Sequence, residues 1–326
     1  MLADEMGTGK TVMTTVALRI LFQQGKIRRA LILCPVSVLR EWDRHMREWA
    51  PDLHVIFVRG NQDERNLRWQ IPAHVYVTSY NILSNDLDKS LLLEKDGAAF
   101  HAVVLDEAQY IKSPKSRRTR AVKKLQARYR WALSGTPVEN KLEDLVSIFE
   151  YLHPNLPLNV LEAEWIKKEI APYFLRRRKL DVLPDLPPKQ HQAFWLELNP
   201  EQRKAYDEVE SKIRREFAAL TGNVTKVHIF SAITTLKQIC NFVPGRATSS
   251  KVRLLKEQVE EIIAADQKVL IFTQFIEEGL MKLEKVLQAY NPAVIKGGQS
   301  DRERFSQIER FRKSPACEVP ILLASV

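Results

Sequence analysis

Residues 4–11 read Asp-Glu-Met-Gly-Thr-Gly-Lys-Thr, and this segment constrains the fold of the chain more than any other feature. Gly7 and Gly9 allow backbone N–H groups to close around phosphate oxygens, and Lys10 adds a positive charge. Loops of this kind join a buried strand to a helix in a parallel α/β sheet. Asp4 stands where the usual pattern has its first glycine, and the loop follows only a short remnant of a strand.

A second motif completes the interpretation of the first. Residues 103–109 read Val-Val-Leu-Asp-Glu-Ala-Gln, an apolar strand that ends in Asp106 and Glu107. The hydroxyl of Thr11 and the carboxylate of Asp106 can hold Mg²⁺, while Thr8 lies within the loop that surrounds the phosphates. The two motifs together predict a nucleotide triphosphatase site.

The composition describes a globular protein of two domains of ordinary size. Its 326 residues are 45% hydrophobic and 28% charged. No apolar run approaches the roughly 20 residues needed to span a bilayer, so no membrane partner is expected. Three scattered cysteines (Cys34, Cys240 and Cys317) do not suggest a disulfide framework or a zinc site, which favours a reducing compartment.

The net charge of +10 predicts a polyanionic partner. Residues 1–150 and 151–326 each contribute +5, so the excess is not confined to a tail. A basic surface over both parts suits nucleic acid. Seven lysines and arginines crowd residues 112–124, where a solvated basic helix and a phosphate-tracking role are about equally favoured.

Alternation of short apolar runs with helical patterns predicts a parallel sheet covered on both faces in residues 1–155. Helices are expected at 11–24 and 38–49. The predicted strands are 30–35, 54–58, 73–78, 101–105 and 129–134. Ligands on such sheets bind at the carboxyl ends of strands, where Lys10 and Asp106 would lie.

A helical insertion and connecting segment is predicted for residues 156–247, and a second α/β part for 248–326. In the connecting segment, residues 189–198 alternate like a strand, 200–220 and 230–240 are helical, and 247–250 are the best linker. The pattern of the last part predicts helices at 251–265, 277–289 and 301–312, and strands at 268–273, 293–296 and 319–325.

Hydroxyl side chains stand at several predicted strand ends. Ser37 and Thr78 could contact a nucleic-acid backbone, although an ordinary helix N-cap is the simpler interpretation of Ser37. Residues 133–140 read Leu-Ser-Gly-Thr-Pro-Val-Glu-Asn and place Ser134 and Thr136 at a strand end beside the expected γ-phosphate.

The ordered motifs closely resemble those of the Swi/Snf family of superfamily-two helicase-like ATPases. The segments that carry the resemblance are DEMGTGKT, CPVSVLREW, VTSY, LDEAQ and LSGTPVEN, followed by FLRRRK, LPPK, LKQICN, KVLIFTQF and LLAS. The resemblance covers essentially the whole chain. It implies two RecA-like lobes, the first lacking its opening strand and the second truncated at its C-terminus, with family-specific helical insertions between them.

The resemblance also implies roles for individual residues. Lys10 and Thr11 would bind phosphate and Mg²⁺, Asp106 would hold the metal, and Glu107 would orient or deprotonate the attacking water. The side chains that would couple nucleotide state to lobe position are Gln109, Ser134 and Thr136. The candidates for contact with the DNA backbone are Ser37, Thr78 and Gln274.

The implied function is ATP-dependent translocation on double-stranded DNA, which remodels a DNA-bound protein target. The chain lacks the family's later arginine-finger segment, so we expect it to bind ATP and to hydrolyse it poorly. The alternatives are a strand-separating helicase, a restriction-type translocase, and a non-catalytic DNA-binding module with vestigial ATPase motifs. The expected location is the cytoplasm, with the nucleoid, in a prokaryote and the nucleus in a eukaryote.

Overall fold

A computed structural model of the protein describes residues 1–87, 100–136, 142–156, 163–183, 185–219 and 224–325. The chain forms two compact units, Met1–Lys189 and Gln190–Val326. The division into 1–155, 156–247 and 248–326 stays a prediction. Among the described helices, none is long and apolar enough to cross a membrane.

The first unit contains a five-stranded parallel sheet. Its strands are β1 (Ala30–Cys34), β2 (Val55–Phe57), β3 (Val75–Ser79), β4 (Ala102–Asp106) and β5 (Tyr129–Leu133). Their spatial order is β2-β3-β1-β4-β5, and every neighbouring pair is parallel. All five strands coincide with predicted ones to within two residues at each end, which confirms the parallel α/β fold predicted for this part.

Helices cover both faces of this sheet. The helices of this unit are α1 (Lys10–Gln23), α2 (Leu39–Trp49), α3 (Gln62–Gln70), α4 (Tyr80–Asp86), α5 (Arg117–Lys123), α6 (Leu142–Leu152), α7 (Ala163–Ile170) and α8 (Lys179–Val182). The residues of β1 are all apolar because both faces of the strand are covered. Ile32 packs with residues of α1 and α2, whereas Leu31 and Leu33 pack with residues of α4, α5 and α6. Each side chain of β1 is buried because the alternating positions face two different helical layers.

The first three residues extend the sheet beyond β5. The N–H of Leu2 donates to Ala132, and its carbonyl accepts from Ser134, at 2.8 and 3.0 Å. Leu2 also forms a parallel bridge with Leu175. The remnant strand expected before the phosphate loop is therefore paired on both sides, and it places the start of the loop beside the end of β5.

The second unit contains a three-stranded parallel sheet. Its elements are α9 (Pro200–Ala219), α10 (Lys226–Asn241), α11 (Ser250–Ala264), β6 (Val269–Thr273), α12 (Lys282–Val286), β7 (Ala293–Ile295), α13 (Asp301–Lys313) and β8 (Ile321–Ser325). The order is β6-β8-β7, so the last strand in the chain lies in the centre of the sheet. Val252 and Val259 of α11 pack in one apolar cluster with Ile321 and Leu323 of the central strand β8.

Two predicted elements of the second unit are wrong. Residues 189–198, expected to form a strand, have no strand structure, and Trp195 within them is 95% exposed. Alternation of side chains is not sufficient for a strand, because the backbone also needs a neighbouring edge with which to pair.

The predicted helix 277–289 is interrupted. It consists of a π turn at Ile276–Met281, the short α12 and a 3₁₀ turn at Gln288–Tyr290. A Cβ on Gly279 would lie 2.5 Å from Oγ1 of Thr273, at the end of β6. The backbone thus comes too close to the strand end for any larger residue, and Glu278 has non-helical angles at this point.

Candidate functional site

The loop between Leu2 and α1 has the backbone that its glycines predict. Gly7 and Gly9 have φ angles of 83° and 84°, in the left-handed region that residues with a Cβ rarely adopt. Gly9 is the N-cap of α1, which begins at Lys10. The N-terminus of a helix at the end of such a loop favours an anion, because its first N–H groups have no partners within the helix.

Lys10 lies between the loop and the acids at the end of β4. Its Nζ donates to the carbonyls of Asp4 at 2.7 Å and Glu5 at 3.0 Å. Burial lowers the pKa of Lys10, and the negative charges of Glu107, Asp4 and Asp106 partly oppose that shift. The structure therefore brings together the two motifs that the sequence predicted to form one site.

Asp4 explains the departure from the glycine pattern. Its carboxyl group is fully buried and forms an ion pair with Arg177, whose Nη2 lies 2.5 Å from Oδ2. The backbone N–H of Arg177 also donates to Oδ1 at 2.8 Å. Arg177 thus fixes the start of the phosphate loop. One sign of this pair is visible in the sequence, namely an acid at a position where the pattern has glycine.

Asp106 accepts three hydrogen bonds, two from helices α2 and α4 and one from the neighbouring residue Glu107. The indole Nε1 of Trp42 donates to its Oδ2 at 2.8 Å, and the backbone N–H of Glu107 donates to its Oδ1 at 2.9 Å. The hydroxyl of Tyr80 donates to its backbone carbonyl at 2.8 Å. Burial raises the pKa of Asp106 to about 6, although the bond from Trp42 acts in the opposite direction.

The roles of Trp42 and Tyr80 were missed by sequence reasoning. Both residues lie inside motifs that carry the family resemblance, but no property of an isolated segment shows which carboxylate an aromatic side chain reaches. The available signal was a large aromatic residue close after each of two strand ends.

A chain of hydrogen bonds joins Glu107 to the end of β5. Glu107 has a left-handed backbone, with φ of 50°, and its Oε2 accepts from Nε2 of Gln109 at 2.7 Å. The Oε1 of Gln109 accepts from the hydroxyl of the fully buried Ser134 at 2.9 Å. Ser134 in turn accepts from the backbone N–H of Thr136 at 3.2 Å. The three residues predicted to couple nucleotide state to lobe position are therefore connected to the glutamate.

Close packing places the end of β5 against the phosphate loop. A Cβ on Gly135 would lie 2.9 Å from Cγ of Met6, so this position favours glycine. Thr8 lies half-buried in the same loop, where its hydroxyl donates to the carbonyl of Glu5 at 2.8 Å. Residues 137–140 of the strand-end motif lie outside the described residues.

The three candidate DNA contacts are placed differently. Ser37 is exposed in a 3₁₀ turn before α2, whose N-cap is Val38, so Ser37 is not the N-cap. Gln274 is exposed after β6. Thr78 requires a correction: it is fully buried, and its hydroxyl donates to the carbonyl of Val58 at 2.9 Å, which is a structural role within the sheet.

The residues around Asp106 fit a magnesium ion bound together with a nucleotide. In the described parts of the chain, no group of three or more His, Cys, Asp or Glu side chains could hold a metal. Magnesium at nucleotide sites needs only one or two carboxylates, because phosphates and water supply its other ligands. Asp106 and the half-buried Thr11 would be its protein ligands, and the metal would supply positive charge to the phosphates.

Comparison with known proteins agrees with this geometry. The SNF2-related domain family matches residues 1–243. The ATP-dependent helicase MG018 of Mycoplasma genitalium is 31% identical over 346 residues, which cover the whole chain and 33% of the relative. The TATA-binding protein-associated factor MOT1 of Saccharomyces cerevisiae is 30% identical over 286 residues, which cover 74% of this chain and 15% of MOT1.

A solved structure shows the same likeness over the whole chain. The SWI2/SNF2 ATPase core of Sulfolobus solfataricus in complex with double-stranded DNA has 30% sequence identity and a TM-score of 0.52. The match covers the whole chain and 73% of that core. The chain spans about a third of the length of the bacterial helicases that it matches. Its motifs, its two parallel sheets and these matches show that the chain belongs to the SNF2-related domain family.

Proposed function

We propose that this chain is the ATP-binding part of a motor that hydrolyses ATP and moves along double-stranded DNA, remodelling what is bound there. The observation that carries the proposal is the hydrogen-bonded chain from Glu107 through Gln109 to Ser134. It connects an acid beside the phosphate loop to the next strand end, as a site that senses the γ-phosphate requires. The similar Sulfolobus protein is an ATPase core in complex with duplex DNA, which supports the same function.

Each residue of the site has a distinct task in this proposal. Lys10 would exchange its two carbonyl partners for phosphate oxygens, and the glycine loop would close around them. Glu107 would orient the attacking water or accept its proton, and Gln109 would hold that carboxylate in place. Binding energy would then drive closure of the lobes.

The alternatives predict different behaviour. A non-catalytic module with vestigial motifs would not need the Glu107–Gln109–Ser134 chain, which argues against it. A strand-separating helicase would prefer single-stranded or forked DNA. ATPase rates with and without duplex DNA, in this chain and in a full-length family member, test the proposal; the expected weak turnover of the chain stays a prediction. Failure of duplex DNA to stimulate the full-length protein would overturn the proposed function.

Affinity for Mg²⁺·nucleotide should fall in mild acid. Because burial raises the pKa of Asp106 to about 6, its carboxyl group takes up a proton below this pH and ceases to be a metal ligand. We expect the binding constant for a magnesium complex of a non-hydrolysable ATP analogue to drop up to about tenfold per pH unit below that point. Isothermal titration between pH 5 and pH 8 measures it.

The matched control for the pH series is Asp106→Asn. The nucleotide phosphates titrate near the same pH, and the variant retains only that part of the pH dependence. Identical slopes for the wild type and Asp106→Asn would contradict the role of Asp106 as the titrating metal ligand.

Binding to duplex DNA should depend strongly on salt and little on sequence. Counterion release from about four phosphate contacts gives roughly a hundredfold loss of affinity between about 50 and 200 mM salt. The exposed Lys115, Arg117 and Arg120 around α5 are candidates for these contacts. Substituting Arg117 or Arg120 by glutamine should reduce the slope of log K against log salt by about one.

Lys123 on the same helix is the matched control, because it is already paired with Glu150. Lys123→Gln should leave the salt slope unchanged. Fluorescence anisotropy on two unrelated duplexes measures both effects. A slope near zero, or a marked preference for one duplex, would contradict phosphate tracking, and an unchanged slope in Arg117→Gln and Arg120→Gln would favour a merely solvated basic helix.

A further inference from the structure

Two helices that follow strand ends each place an aromatic side chain against Asp106. The 3₁₀ turn at Val36–Val38 follows β1 and leads directly into α2, which carries Trp42. The end of β3 leads directly into α4, whose first residue is Tyr80. Trp42 reaches a carboxylate oxygen of Asp106, whereas Tyr80 reaches only its backbone carbonyl. Trp42 is thus the aromatic side chain that contacts the acidic group itself.

The contact of Trp42 is specific in its chemistry. Its ring is fully buried, and an indole has a single N–H, which can only donate. That N–H donates to Oδ2 of Asp106 at 2.8 Å, while Oδ1 accepts from the N–H of Glu107. Donors to the oxygens of a ligating carboxylate fix its orientation, and their removal commonly costs 10–100-fold in metal affinity or activity.

The other end of this connection is at the surface. Ser37, in the turn that precedes α2, is exposed to solvent. The helix itself is anchored in the core by its buried residues Leu39, Trp42 and Met46. A helix is stiff, so a shift of its first turn moves the indole as well. The turn and the carboxylate are therefore linked through one short, rigid element.

We propose that Trp42 is a positioning residue that ties the exposed Ser37 turn to the Asp106 carboxylate, so that duplex DNA on this turn strengthens Mg²⁺·nucleotide binding. The proposal rests on the proposed function and deepens it, because it names one side chain through which the DNA surface acts on the metal site. Coupling of this kind is reciprocal: nucleotide strengthens DNA binding by the same factor.

The chain offers a matched control for the hydrogen bond. Trp69 on α3 is also buried, and its Nε1 donates to Oδ2 of Asp86 at 3.0 Å. Trp69→Phe and Trp42→Phe therefore remove the same donor from the same kind of acceptor in the same unit. Met46→Leu is the control for packing alone, since Met46 lies one turn after Trp42 on the buried side of α2.

The first experiment measures binding of a fluorescent, non-hydrolysable ATP analogue against Mg²⁺ concentration, with and without a duplex. In the wild type we expect DNA to lower the Mg²⁺ requirement by about 5- to 150-fold. Trp42→Phe should raise that requirement by about 10- to 100-fold and remove most of the effect of DNA. Trp69→Phe and Met46→Leu should keep both. A DNA effect of wild-type size in Trp42→Phe would overturn the proposal.

The second experiment needs no folded variant. In amide and indole N–H spectra of the ¹⁵N-labelled wild-type chain, the Trp42 indole signal should shift on addition of Mg²⁺·nucleotide and also on addition of duplex alone. The Trp69 signal should stay in place. If the chemical shift of the Trp42 indole did not change on addition of duplex, the proposed link would be overturned.

The two experiments separate this inference from the proposed function. If DNA and nucleotide each strengthen the binding of the other in the wild type, and Trp42→Phe leaves this coupling intact, only the inference fails. If the wild type binds no Mg²⁺·nucleotide, or duplex has no effect on nucleotide in the wild type, the proposed function and the inference fail together.

Discussion

Glu107→Gln is expected to bind Mg²⁺·ATP as the wild type does and to lose hydrolysis by roughly 10²–10⁴-fold, the usual contribution of a positioned general base. Glutamine has nearly the same shape but cannot accept a proton from water. Its amide oxygen can still accept from Nε2 of Gln109, so the hydrogen-bonded chain to Ser134 should survive. The loss should therefore occur in the chemical step and not in binding. Single-turnover hydrolysis and equilibrium titration, made in a full-length family member at the matching residue, separate the two.

Lys10→Ala should show the opposite pattern. Its ammonium group donates to a carbonyl of the phosphate loop and interacts electrostatically with Glu107 and Asp106. Its removal should therefore weaken nucleotide binding itself. Lys26 is the matched control, an exposed lysine just after the far end of α1. Lys26→Ala should leave affinity for nucleotide unchanged.

For the first prediction, hydrolysis at the parent rate in Glu107→Gln would show that another group activates the water.

The sheet of the first unit was predictable because its strands are buried on both faces. Strand 102–106 is buried at every position. A continuous apolar run of this length is typical of a strand that lies between two helical layers, because both of its faces are then buried. The positions of Lys10, Asp106 and Ser134 followed from the same fact. Parallel strands end at one edge of a sheet, so residues at their carboxyl ends meet whatever their separation along the chain.

The contacts that orient the site were not predictable in this way. Asp4 and Arg177 are separated by 173 positions, and Trp42 and Asp106 by 64. Each pair depends on where a helix or a returning segment packs, which local patterns do not encode. Thr78 shows the same limit, because a hydroxyl at a strand end can face solvent or donate to a neighbouring strand. The second unit adds a close approach between a glycine and a strand end, which breaks a segment with a regular helical pattern.

Arg65→Met is expected to cause a large loss of stability, although it lies away from the nucleotide site. Asp86 has a side chain only 3% exposed, and Arg65, itself 11% exposed, donates to both of its oxygens at 2.9 Å. Burial alone would raise the pKa of Asp86, but the hydrogen bonds from Arg65 and Trp69 lower it overall. Removing Arg65 leaves a buried carboxylate without its counter-charge, which typically costs about 3–5 kcal/mol.

The sign of the pH dependence follows from that lowered pKa. In the wild type, Asp86 stabilises the fold above the ordinary carboxyl pKa of about 4, and this contribution is lost as the pH falls through its lower folded pKa. In Arg65→Met the carboxyl group is buried without its partner, so protonation at acid pH relieves the cost. The difference in the free energy of unfolding between the two proteins should therefore shrink as the pH falls. Urea unfolding at several pH values, followed by a probe in the first unit, measures it.

Two further variants decide whether the effect belongs to the buried pair. Arg47→Met removes an exposed ion pair with Asp43 and should cost less than about 1 kcal/mol. The double variant Arg65→Met/Asp86→Leu replaces both charges by apolar groups and should recover much of the loss, because no unpaired carboxylate remains. If the double variant were no more stable than Arg65→Met alone, the cost would come from packing around α3. A loss in Arg65→Met that did not change with pH would lead to the same conclusion, since packing of a methionine has no titrating group.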